Sequence, residues 1–212
     1  AVILEAKGPA FSVGHDLKEM TAHRDDQDGG KAFYSQLFAA CSNVMLGINQ
    51  SSKIFIAKVD APAAAAGCQL AAACDMVFAS TNAMFGLTGI NSGLFCSTPM
   101  VPVSRSMGPK KSIELLTTGG LMPAEAAAKA GLVNRVVEPE HLDETVLLTA
   151  RAVAAKPASV LALGKQAFYK QLTMPVPEAY AFSTQVIIDN MLRDEAKEGI
   201  SAFLEKREPN WH

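Results

Sequence analysis

Two glycine-bearing turns hold the residue types in this sequence whose spacing could do chemistry. One is Phe11-Ser12-Val13-Gly14-His15-Asp16, which follows an apolar run and leads toward a helix. The other is Ala63-Ala64-Ala65-Ala66-Gly67-Cys68-Gln69-Leu70, small residues that enter a helix. A chain that passes from a strand through such a turn presents unpaired backbone N–H groups at the helix start. The helix dipole then favours an anion or a developing oxyanion at that spot. Close helix packing is the simpler account of the small-residue run, and a surface loop that of the first turn. Either turn alone leaves the question open.

Further candidates are scattered around these turns. An imidazole is the side chain suited to moving protons near neutral pH, which makes His15 a candidate base. Cys96 would act as a nucleophile only in surroundings that favour its thiolate. Cys41, Cys68, Cys74 and Cys96 form no CxxC pair and no zinc spacing, so they read as reduced thiols of an intracellular protein, and no metal site is expected. Asp75 and Cys74, at the end of the small-residue run, read as structural.

Composition narrows the classes. The chain has 212 residues, 49% hydrophobic and 19% charged, with 19 Lys+Arg against 21 Asp+Glu. These are the proportions of a soluble globular protein. A net charge of −2 argues against nucleic acid as a partner. No stretch supplies the roughly 18 uninterrupted apolar residues a membrane span needs, so no membrane is expected either. Ala1-Val2-Ile3-Leu4 is already a strand-like run, and the front of the chain reads as trimmed.

The elements that must position these residues alternate. Residues 1–5 read as a strand closed by Lys7-Gly8-Pro9, and 23–30 as the most flexible stretch. Over 31–48, Phe33, Leu37, Phe38, Cys41, Val44, Met45 and Ile48 recur at helical spacing. Strands are predicted at 54–59, 76–79 and 84–87, with the small-residue run 61–73 between the first two. That alternation points to an α/β unit with a largely parallel sheet. Beyond Gly108 come a helix at 111–118, another opened by Pro123 and closed at Gly131, and a short strand at 132–137. Residues 139–212 read as helical in three or four pieces, broken near Pro157, Pro175 and Pro177. Val146, Leu147, Val186, Ile187 and Ile188 exceed what one appended helical layer can hide, which predicts a partner chain.

Taken together and in order, the segments AFSVGHDLKEM, AAAAGCQLAAACDMVFAS, AMFGLTGINSGLF and LTTGGLMPAEAAAKAGLVNRVV resemble the crotonase family, the enoyl-CoA hydratase/isomerase superfamily. EGISAFLEKREPNW resembles that family's closing helix, so the likeness runs from Val2 to Trp211. The spellings AAGCQL and GLFCSTP resemble a branch with mitochondrial members and bacterial relatives.

The resemblance implies an α/β crotonase (ClpP-like) fold of stacked strand–strand–helix turns, with a core over 1–138 that lacks the usual front strands. A helical region over 139–212 would form homotrimers or hexamers. It implies an acyl-CoA thioester as ligand, with coenzyme A part of the substrate and no separate cofactor. The backbone N–H groups of His15 and Ala66 would hold the thioester carbonyl, and a backbone donor survives any side chain but proline. His15, Asp16, Leu17, Lys18, Ala64 and Gly67 would line the substrate site. Lys206 would reach the coenzyme A phosphate from a neighbouring subunit. Lys18 and Lys206 read equally well as ordinary solvated lysines.

The sequence departs from the family where hydration is concerned. The family's two catalytic glutamates fall at Gln69 and Gly89 of this chain. A glutamine amide accepts no proton, and glycine has no side chain. Hydratase activity should therefore be weak or absent, and Gln69→Glu with Gly89→Glu should raise it if the pocket geometry holds. The expected protein is an acyl-CoA-binding family member of fatty-acid or acyl-CoA metabolism. A non-catalytic acyl-CoA binder and an oligomeric scaffold are the alternatives. Its compartment would be the mitochondrial matrix in a eukaryote and the cytoplasm in a bacterium.

Overall fold

A computed structural model describes residues 1–211, so the last residue of the helical region expected over 139–212 lies outside the described residues. The chain forms two compact units, one built from residues 2–49 and 55–148, the other chiefly from 50–54 and 149–211.

In the larger unit, β1 (Val2–Leu4), β2 (Phe55–Val59), β4 (Met76–Ser80) and β7 (Arg135–Val137) form a parallel sheet in the order β1-β2-β4-β7. Strands β2 and β4 read as nearly continuous apolar runs because both faces of a parallel sheet are covered. Ile56, Val59 and Ala79 are fully buried there, and each large side chain contributes about 1.5–3 kcal/mol on burial. The Asp75 carboxylate accepts the Phe55 N–H at 2.7 Å, which ties β2 to the residue before β4. Asp75 is structural, as expected.

A second sheet joins β3 (Ala63–Ala64), β5 (Met84–Gly86) and β6 (Leu121–Pro123). The first pair is parallel and the second antiparallel, so the structure adds one antiparallel pairing to the largely parallel arrangement expected. Helices α1 (Leu17–Ala22), α2 (Lys31–Gln50), α3 (Ala66–Ala73), α4 (Met100–Ser106), α5 (Pro109–Thr118) and α6 (Ala124–Lys129) surround the sheets. The polar stretch around Asp28 is ordered by its carboxylate, which accepts the Gly30 and Ala32 N–H groups at 3.0 and 2.8 Å.

Three local readings need correction. The strand expected at 132–137 begins only at Arg135, because Asn134 pairs both ways with Val77 (2.7 and 2.8 Å) and ends the preceding loop. Helix α4 was not anticipated, since Pro99 and Pro102 mask its pattern. Pro177 does not break the chain: it sits in the first turn of α9 (Val176–Met191), where the missing N–H has no partner to lose.

Helix α7 (Pro139–Ala154) runs from the larger unit into the second, which also holds α8 (Ala158–Gln171), α9 and α10 (Asp194–Glu205). The break after α9 falls at Leu192–Arg193, away from any proline. Within this unit the buried Lys165 ammonium donates to the Lys53 carbonyl at 2.8 Å. The Ser159 hydroxyl donates to the Glu195 carboxylate. No single helix among the described residues is long and apolar enough to cross a membrane.

Candidate functional site

The two turns singled out in the sequence lie side by side. Residues 11–12 run along the approach to β3: Phe11 N–H donates to the Pro62 carbonyl at 3.0 Å and Ala64 N–H to the Ser12 carbonyl at 2.8 Å. The fit is so close that a Cβ on Gly67 would sit 1.9 Å from the Ser12 carbonyl oxygen. Gly14, at φ +98°, continues this seam, and a Cβ there would stand 3.3 Å from the Ala66 nitrogen. His15 therefore follows a residue whose backbone abuts the start of α3.

Ala65 makes the turn itself. Its φ of +49° is a conformation side chains rarely adopt, and its N–H is fixed to the Gly86 carbonyl at 2.9 Å. Strain of this kind persists only when the surroundings impose it, and it gathers at functional sites. The N-cap residue Ala65 makes no side-chain hydrogen bond to the first turn of α3, whose leading N–H groups have no partner within the helix.

A cavity of about 530 Å³ opens beside this turn. His15, Leu17, Ala66 and Gly89 line it, as do Cys96 and Ser97. Val13, Met20, Phe38, Leu94 and Phe95 supply an apolar wall that was not picked out from the sequence as part of a site. Phe38 was visible there only as one core position of a helix. Leu94 and Phe95 stand exposed beside Gly93, a pairing of large apolar residues with a turn that could have marked them.

Of the other predicted residues in the larger unit, Gln69, Ala64, Gly67, Asp16 and Lys18 are not among those that line the cavity. Gln69 is buried, and its carbonyl oxygen accepts the Cys41 S–H at 3.8 Å. Ala64 is buried in β3, and Gly67 is spent on the contact with Ser12. The Asp16 carboxylate caps α1 by accepting the Lys18 N–H at 2.8 Å, and Lys18 itself is exposed. Lys206 closes α10 in the second unit, in the left-handed conformation at φ +55°.

The electrostatics of the site are sparse. Among the described residues its wall carries no Asp, Glu, Lys or Arg, and its ionisable side chains are His15 and Cys96. Burial pushes the Cys68 thiol up to about 12, which makes it inert, and burial also raises Cys41. The Cys96 sulfur accepts the Gly89 N–H at 3.3 Å. His15 Nε2 is buried without a hydrogen-bond partner, and its ring meets Phe38 edge to face at 5.4 Å and 82°. Among the described residues no group of three His, Cys, Asp or Glu side chains could hold a metal ion.

Comparison with known proteins agrees with this fold. The family model for enoyl-CoA hydratase/isomerase matches residues 1–212. Mitochondrial enoyl-CoA hydratase domain-containing protein 3 of Rattus norvegicus is 41% identical over 210 residues, 99% of this chain and 68% of that protein. The human protein of the same name is 42% identical, and its crystal structure superposes with a TM-score of 0.94 over 99% of this chain and 81% of that one. An enoyl-CoA hydratase structure from Mycobacterium smegmatis gives a TM-score of 0.95 at 46% identity, covering 100% of this chain and 80% of its own. The strand–turn–helix seam, the order of elements and these matches together place the fold as that of the crotonases, and the chain belongs to the enoyl-CoA hydratase/isomerase family, on the branch that holds enoyl-CoA hydratase domain-containing protein 3.

Proposed function

We propose that this protein binds acyl-CoA thioesters in the cavity beside α3 and hydrates enoyl-CoA poorly or not at all. The observation that carries the reading is the close seam between Gly14 and the start of α3, where a Cβ on Gly14 would stand 3.3 Å from the Ala66 nitrogen. His15 and Ala66 both line the cavity, and in this reading their backbone amides donate to a single oxygen, the thioester carbonyl. One such donor is typically worth about 10²–10³ in rate when charge develops on that oxygen.

The acyl group would lie against Val13, Leu17, Met20 and Phe38. Asp16 orders the start of α1 beside the site, with Ala64 and Gly67 holding the turn from behind. Lys18 and Lys206 would meet coenzyme A phosphate, Lys206 from a neighbouring subunit of a trimer or hexamer. Loss of carboxylates at both Gln69 and Gly89 favours binding over turnover, so the second reading is an acyl-CoA binder without catalysis. The rodent and human relatives carry the word mitochondrial in their names. For this chain the matrix is proposed if its source is a eukaryote and the cytoplasm if it is a bacterium.

Calorimetric titration with coenzyme A and with crotonyl-CoA, run beside a hydration assay, tests the reading. Binding is expected, and Ala66→Gly should change it little because the amide is retained. Ala66→Pro removes the N–H and should abolish it. A folded Ala66→Pro protein that bound crotonyl-CoA as well as the parent would place the thioester elsewhere. Absence of any binding by the parent would leave an oligomeric scaffold as the reading.

A further inference from the structure

A pocket that moves protons needs a group to hold them, and this wall offers few. The Gln69 amide takes no proton and is turned to Cys41. The Cys96 sulfur is engaged by the Gly89 N–H. The imidazole of His15 remains. Its Nε2 is buried with no hydrogen-bond partner, although buried polar atoms are nearly always paired and an exception calls for an explanation such as a catalytic role. The ring is also held in place, packed edge to face against Phe38 at 5.4 Å, with both rings on the cavity wall. Its own backbone amide is one of the pair beside α3, so the ring is tethered next to the point where a carbonyl oxygen would be held.

We infer that the His15 imidazole is the proton-transfer group of this pocket, acting at the carbon next to a bound thioester carbonyl. The inference rests on the acyl-CoA reading above. In the step, the C–H bond at that carbon breaks and its proton passes to an imidazole nitrogen. The C–H electron pair becomes the C=C bond of the thioester enolate, and the carbonyl π pair moves onto oxygen, where the His15 and Ala66 amides hold it. Return of the proton from the imidazolium re-forms the C–H bond, so no co-reactant is consumed. No water has to be activated, which fits a site without a carboxylate at Gln69 or Gly89.

Octanoyl-CoA in D₂O reads this step directly, because it has no double bond to hydrate. Mass spectrometry of the thioester should show deuterium entering next to the carbonyl in the presence of the parent protein. His15→Gln keeps the backbone amide, so the dissociation constant should stay within about threefold while exchange falls by about 10²–10⁴. His15→Ala should lose exchange equally and regain part of it when free imidazole is added, a rescue that a merely structural role would not give. Acylation of His15 in the parent by diethyl pyrocarbonate, located by peptide mass mapping, should stop exchange in step with its extent whether or not the variants fold. Binding without exchange, exchange that survives in His15→Gln, or exchange that survives full modification of His15 would each overturn the inference. A parent that does not bind octanoyl-CoA would instead overturn the acyl-CoA reading on which it rests.

Discussion

The amide of Gly89 points at the sulfur of Cys96, 3.3 Å away, and a Cβ on residue 89 would stand 2.9 Å from that sulfur and 2.6 Å from the Leu94 carbonyl oxygen. The loop closes on itself through the Leu94 N–H, which donates to the Gly89 carbonyl at 3.0 Å. The space beside Gly89, the position the family resemblance matches to a glutamate, is therefore filled by backbone and by a thiol. Restoring a carboxylate there is not a matter of adding one to open space. The gain in hydration expected for Gln69→Glu with Gly89→Glu depended on retained geometry, and this contact removes that condition.

Gly89→Ala should accordingly destabilise the fold. Overpacking of this kind costs about 1–3 kcal/mol, and each kcal/mol lowers the melting temperature by roughly 2–4 °C in a chain of this size. Gly47→Ala makes a matched control, since nothing lies within 4 Å of its Cβ position in the interior of α2. There alanine should raise the melting temperature slightly through helix propensity. Calorimetric melts of both variants decide the matter; a Gly89→Ala protein as stable as the parent would show that the loop yields freely.

Much of this was legible in the sequence, and the limits are physical. The period of Phe33, Leu37, Cys41, Val44 and Ile48 gave α2 its start, and it runs on to Gln50. The alternation of apolar strands with small-residue turns led to the parallel sheet. Strand β6 was invisible because Leu121-Met122-Pro123 has no strand pattern of its own; its partner β5 imposes it. The seam between Ser12 and Gly67 could be suspected from glycine, whereas the closure of Leu94 over Gly89 joins residues whose types suggest nothing. The family resemblance pointed to Gln69 as a pocket residue, yet it is buried and its side-chain amide oxygen accepts the Cys41 S–H.

The end of the second unit carries a contact that acid should open. Hydrogen bonds from Arg207, helped by the Asn210 N–H at 2.8 Å, hold the Glu198 carboxyl well below the usual carboxylate range, at about 2. Because the folded value is depressed, the contribution is present above the ordinary value of 4.5 and is lost as pH falls toward about 2. The sole tryptophan, Trp211, packs on Gly199 one residue from Glu198 and reports on this contact. Its fluorescence should change between these limits, and Glu198→Gln should shift the signal at neutral pH. A spectrum flat down to pH 2 in the parent would refute the assignment.

Apolar exposure in the second unit is the ground for expecting a partner chain. Tyr180, Phe203 and Leu204 are 74%, 82% and 73% exposed, and large apolar side chains exposed together mark interaction surfaces. Ile187 and Ile188 are exposed too, whereas Val146, in the larger unit, is buried. A trimer or hexamer is expected by sedimentation at micromolar concentration, and Phe203→Asp with Leu204→Asp should shift it toward monomer. A parent that sediments only as a monomer would refute the expectation.

Hydration of crotonyl-CoA is the most direct test of the proposal that Gln69 and Gly89 leave the pocket without its acid–base groups. A positioned acid or base is typically worth about 10²–10⁴ in rate, or roughly 3–5 kcal/mol of barrier. Two groups that act as a unit do not add, so the combined loss is smaller than the product of the single ones. The parent should thus fall at least about 10² below a two-glutamate relative assayed alongside. Gln69→Glu alone should recover little, because one carboxylate must both orient the water and return the proton while Gly89 contributes nothing. A parent that hydrated crotonyl-CoA at the relative's rate would require another group on the cavity wall to supply both protons. His15 is the side chain there suited to it, and loss of that activity in His15→Gln would identify it.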